Sequence, residues 1–168
     1  FGLHHLAGPH MDMFMTWFTT MINTIWLWAI LAAGGLWKRQ SRWVTISIIV
    51  AVFLAILVGD VAIKHVVMRI RPYLVIPDAP TLATLKYPIS YSFPSGHSFF
   101  FFAGATVLFR FRRRLGMAAY GLACVVAFSR MYLFMHFPSD VFTGAVLGIL
   151  IGNIAWKMCG YAKNRLSY

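Results

Sequence analysis

The sequence predicts an all-α, polytopic membrane helical bundle, and three observations predict it. Hydrophobic residues make up 60% of the chain and charged residues only 11%, where a soluble domain carries about 25% charged residues. Mean hydropathy is +0.73, and apolar stretches of nearly the ~20 residues needed to cross a bilayer recur along the chain. Ten of the fifteen lysines and arginines sit in three clusters at the ends of those stretches. The expected organisation is a single domain over residues 1–168, with the chemistry-bearing part at 60–152.

About five spans follow from the apolar pattern. The first runs from Met11 or Met15 to Trp37, its early part also readable as an N-terminal interfacial helix. The second runs from Trp43 to Ile70, the third from Ser95 to Phe111, the fourth from Leu115 to Phe134 and the fifth from Pro138 to Lys157. The third is near the lower limit of about 17 residues for crossing. Between the second and third spans, Pro72, Pro77, Pro80 and Pro88 rule out a sixth span. The apolar side chains of that loop suit a membrane surface or a plain connector.

The connectors set an expected orientation. Lys38, Arg39 and Arg42 separate spans one and two; Arg110, Arg112, Arg113 and Arg114 separate three and four; Lys157, Lys163 and Arg165 follow five. With alternating crossings all three clusters fall on one side, which the positive-inside rule makes cytoplasmic. The C-terminus is then cytoplasmic. On the opposite, extracytoplasmic face the ends of spans two to five converge, near Arg71, Ser95, Arg130 and Asp140.

Some functions are disfavoured at once. The net charge of +11 follows membrane topology and not a polar binding face, so no nucleic-acid partner is expected. Cys124 and Cys159 form no CxxC pair and read as small packing residues. The chain has no Glu and only four scattered Asp (Asp12, Asp60, Asp78 and Asp140), too few for a two-metal centre. No metal, no cofactor and no obligatory protein partner are expected. His4, His5 and His10 read as a polar interfacial segment.

Three stretches at the converging ends carry chemistry. Lys64 and Arg71 are seven residues apart, close to two helical turns, which predicts a shared face on the second span. Asp60, four residues before Lys64, can pair with it. Snorkelling is the alternative reading of Lys64 and Arg71 taken alone, and Arg69 is assigned to snorkelling. In Pro94-Ser95-Gly96-His97, Ser95 suits an N-cap and Gly96 lets a ligand approach the backbone. The new helix start is an anion site, and His97 stands beside it with a proton to give. Ser129-Arg130 is followed by His136 and then Asp140, a spacing that lets the carboxylate hold one imidazole nitrogen so that the other can attack. A capping Asp beside an interfacial His is the bland reading of the last pair. Together the three stretches suit a phosphate held by cations and attacked by imidazole, in surroundings apolar enough for a lipid.

In order and spacing these stretches, K-x6-RP, PSGH and SR-x5-H-x3-D, resemble the signature of the type 2 phosphatidic acid phosphatase superfamily over Asp60 to about Gly152. The resemblance implies metal-independent hydrolysis of a phosphomonoester or diphosphate in a helical membrane fold. It makes His136 the nucleophile of a phosphohistidine intermediate, Asp140 its orienting group and His97 the acid for the leaving group. Lys64, Arg71, Ser95, Gly96 and Arg130 would bind the phosphoryl oxygens. Size and the HFPSD form of the last motif resemble the bacterial undecaprenyl-diphosphate phosphatases of the inner membrane. Phosphatidylglycerophosphate, phosphatidate and lipid A phosphates stay open as substrates, as does phosphotransfer to a second lipid. A non-enzymatic lipid transporter has no use for a nucleophile–carboxylate pair, and the chain shows no inverted repeat.

Overall fold

A computed structural model describes residues 8–22, 42–76 and 90–166. The described residues are helical without strands. Helix α1 spans Pro9–Met21. Helix α2 (Arg42–Ala55) runs on through wide π-type turns over Ile56–Ile63 into the short α3 (Lys64–Val67). One turn, α4, covers Pro72–Val75. Then come α5 (Gly96–Phe111), α6 (Arg113–Tyr132) and α7 (Pro138–Leu166). The later part of the predicted first span, and most of the proline-rich loop with Lys86, lie outside the described residues.

Three described helical stretches are long and apolar enough to cross a membrane: Arg42–Val75, Arg113–Tyr132 and Pro138–Ala162. Their outward faces carry large apolar side chains in the open, among them Phe53, Val61, Met117, Phe142 and Ile154. In water such a surface would be a liability, whereas hydrocarbon accepts it and leaves the backbone satisfied inside each helix. The protein is membrane-embedded.

Helix α5 is the hub. Only sixteen residues long, about 24 Å at 1.5 Å per residue, it is surrounded by α2, α6 and α7. Phe99, Phe101, Ala103, Ala105 and Val107 are all buried along it. Small residues let its neighbours approach closely. On α7, a Cβ placed at Gly144, Gly148 or Gly152 would lie 2.6 Å from the carbonyl oxygen of Ser95, Phe99 or Ala103 respectively, so glycine is required along that seam. At the cation-rich end, Arg112 alone joins α5 to α6. There Gly116 packs directly on Phe109, and Arg110 donates to Asn153 Oδ1 at 2.7 and 2.9 Å. Alanines 51, 103, 123 and 155 join Val44, Ile48, Phe101, Val107 and Val126 in one buried cluster linking α2, α5, α6 and α7.

The second span corrects one sequence expectation. Its helix does not continue to Ile70: Met68 takes a left-handed conformation (φ 49°, ψ 34°) and its N–H closes on the carbonyl of Lys64. Lys64 and Arg71 therefore do not share a helical face. Arg71 sits on extended backbone (ψ 150°) as the cap of α4, the conformation that the ring of Pro72 imposes on the residue before it.

Candidate active site

Each predicted site residue lies at the end of a helix opposite the Arg110–Arg114 turn. Arg71 comes from the break after α3, Ser95 and Gly96 from the start of α5, Arg130 from the last turn of α6, His136 from the link to α7, and Asp140 from the first turn of α7. The links are tied together through their backbones. Ser92 N–H donates to Arg69 O at 2.7 Å, Ser95 N–H to Asp140 O at 3.0 Å, and Tyr73 N–H to Phe134 O at 3.2 Å. The chain is built here as one braid of three sequence-distant segments.

His136 is buried at its centre. Its Nδ1 lies 2.7 Å from the carbonyl oxygen of Ser92, and its Nε2 lies 3.3 Å from a terminal guanidinium nitrogen of Arg71. A carbonyl can only accept and a guanidinium can only donate. The geometry thus assigns the proton to Nδ1 and leaves the Nε2 lone pair directed to the cationic side. Burial, reinforced by the charge of Arg71, holds the imidazole well below its ordinary pKa, so the ring is neutral at physiological pH.

Arg71, also buried, is fixed on every side. Its Nε and second terminal nitrogen donate to the carbonyl and hydroxyl of Ser90 at 2.7 and 2.8 Å, and its first terminal nitrogen to Met135 O at 3.0 Å. Arg130 donates to Thr19 Oγ1 at 3.3 Å and contacts Met135 Sδ at 3.6 Å. Its Nε is buried and has no partner among the described residues. Such a donor carries a desolvation cost until an acceptor reaches it. Lys64 pairs with Asp60, as the spacing predicted. His97 lies within electrostatic reach of Arg130, Lys64 and Arg71, and of His136. A Cβ at Gly96 would stand 3.3 Å from Asp60 Oδ1, so the second motif starts directly against the first. Ser95 occupies the N-cap position, but its hydroxyl makes no cap bond and accepts instead from Ser98 at 3.1 Å.

Asp140 differs from its sequence expectation in one respect. Its Oδ2 is 3.9 Å from His136 Nδ1, beyond hydrogen-bond length, and accepts from the Ser92 hydroxyl and from Phe137 N–H at 2.9 Å. Its Oδ1 accepts from Arg69 at 2.7 Å. Arg69 is thus not a snorkelling residue. It also donates to Ser139 Oγ at 2.7 Å and stacks over the Phe137 ring at 4.0 Å. Arg69, Ser90, Ser92, Ser139 and Thr19 are the polar residues that the sequence reading missed. For Arg69 the sequence offered only Pro72, which sets extended backbone at Arg71 and so signals that the helix ends before it.

Fold and site together define a membrane-embedded helical protein with a buried histidine–arginine centre. Residues 44–164 match the PAP2 superfamily, and the chain belongs to it. An undecaprenyl-diphosphatase of Sulfolobus acidocaldarius is 31% identical over 124 residues, 73% of this chain and 59% of the relative. A lipid A 4'-phosphatase of Porphyromonas gingivalis is 27% identical over 97% of this chain and 72% of its own length. The crystal structure of Aquifex aeolicus LpxE superposes with a TM-score of 0.77 at 28% identity, covering 90% of this chain and 88% of that one. The chain thus spans less than two thirds of the length of the Sulfolobus acidocaldarius relative.

Proposed function

We propose that this protein is a metal-independent lipid phosphatase, with undecaprenyl diphosphate as its first-choice substrate. The observation that carries the reading is the buried His136, its Nδ1 proton fixed on Ser92 and its Nε2 lone pair held toward Arg71, which donates to it at 3.3 Å until a phosphoryl group takes that place. Nε2 attacks phosphorus, the bond from phosphorus to the leaving oxygen breaks, and His97 gives that oxygen a proton. Water then attacks the phosphohistidine and returns a proton to His97. The N–P bond breaks, releasing inorganic phosphate and neutral His136. Arg71, Arg130 through its unpartnered Nε, Lys64 and the amide end at Ser95–Gly96 hold the phosphoryl oxygens and stabilise charge in the transition state.

Metal independence is supported by where the carboxylates are spent. Asp60 is paired with Lys64 and Asp140 with Arg69, and the chain has no Glu. The similarity to an undecaprenyl-diphosphatase supports the substrate. Arg42 and Arg110–Arg114, at helix ends away from the site, support an extracytoplasmic active site in the inner membrane with a cytoplasmic C-terminus. Phosphate release from undecaprenyl diphosphate, phosphatidylglycerophosphate and lipid A, with and without EDTA, tests the reading. It predicts EDTA-resistant release fastest from the isoprenoid. Activity lost to EDTA and restored by magnesium contradicts the mechanism. A preference above about tenfold, roughly 1.4 kcal/mol, for either other lipid overturns the substrate alone.

A further inference from the structure

Resting on the reading of His136 as nucleophile, we infer that Ser92 is the positioning residue through which Asp140 and Arg69 act on it. Ser92 lies outside the three motifs, yet it is fully buried and touches both members of the presumed pair. Its carbonyl oxygen accepts from Nδ1–H at 2.7 Å, while its hydroxyl donates to Asp140 Oδ2. Asp140 itself stands 3.9 Å from Nδ1. The carboxylate therefore anchors the serine, and the serine anchors the imidazole.

The rest of the braid supports the same order of transmission. Arg69 pins Asp140 through Oδ1, and its own carbonyl holds the N–H of Ser92 at 2.7 Å. Phe137 N–H occupies Oδ2 alongside the serine. Asp140 is thus held on both oxygens by groups that in turn grip residues 69, 92 and 137. Ser92 needs the hydroxyl to be fixed and the carbonyl to do the fixing. A loosened residue 92 frees Nδ1, and with it the direction of the Nε2 lone pair. Phosphate contacts from Arg71 and Arg130 would be left in place.

A double-mutant cycle on the full chain in detergent, with undecaprenyl diphosphate, tests this. Ser92→Ala should lower kcat roughly ten- to a hundredfold while KM moves less than about threefold, since orientation of the nucleophile and not binding is lost. Asp140→Asn should do the same, and Ser92→Ala/Asp140→Asn should be no slower than the worse single variant, because one chain of contacts has been cut twice. Unchanged kcat in Ser92→Ala, or a double variant showing the product of the two losses, overturns the inference. Should Ser92→Ala fail to fold by thermal unfolding, Ser92→Cys, whose thiol donates only weakly, replaces it under the same criteria. His136→Ala separates the two levels. If it turns over normally the nucleophile assignment falls, whereas an inactive His136→Ala beside an unimpaired Ser92→Ala sinks only the role of Ser92.

Discussion

Arg71 shows how much of the site depends on the shape of one side chain and not merely its charge. Each of its three nitrogens is used, on Ser90, Met135 and His136, and it is buried. A lysine there would keep the charge but could not reproduce a planar fork. We predict that Arg71→Lys lowers kcat/KM by about a hundredfold or more, on the scale of losing two or three charge-assisted hydrogen bonds. Activity within about fivefold of the unaltered chain would show that charge alone suffices. At this scale the sequence was informative about residue types and poor on partners. Lys64–Asp60 was legible because helical spacing fixes it. Arg69–Asp140 and Ser92–His136 join residues 71 and 44 positions apart, and no local periodicity can report such a contact.

Among the elements, the seam between α5 and α7 positions the second and third motifs relative to each other. The three glycines of α7 bring its axis against the α5 backbone, and Ser95 and Asp140 meet at the upper end of that seam. Gly148→Leu would force a side chain into Phe99 O and the Phe102 Cβ. Since these are backbone and core atoms, the helices must separate, at a cost of about 1–3 kcal/mol or more. A lower unfolding midpoint in detergent, with activity reduced in parallel, is the expected result. An unchanged midpoint would mean that the seam is looser than described. The hydropathy pattern read α6 and α7 well, because a membrane helix advertises itself by composition, and it set the bounds of the sixteen-residue α5 to within a residue. It missed the break at Met68, since the residues from 65 to 70 remain mostly apolar and only Pro72 hints at the change of course.

For the whole molecule, the arrangement implies a direction across the membrane. The site gathers at one end of the bundle, and Arg110–Arg114 mark the other. On the proposed orientation, which the positive-inside rule supports, the site faces outside. In a chain with Cys124 and Cys159 replaced by alanine, Lys86→Cys should react with an impermeant maleimide on intact cells, while Arg113→Cys should react only after lysis. The reverse pattern would put hydrolysis in the cytoplasm and require a substrate presented there. That the three motifs would meet was legible from topology alone, by counting alternate crossings, and needed no side-chain detail.

The central claim is that a phosphoryl group passes through Nε2 of His136. Rapid acid-free quenching of the purified protein mixed with undecaprenyl diphosphate labelled in its terminal phosphate tests it most directly. The account predicts a protein-bound phosphate that is labile to acid and stable to base, located on the peptide containing His136 and absent from His136→Ala. Turnover without any such intermediate in the unaltered chain, or the same labelled species persisting in His136→Ala, would contradict it.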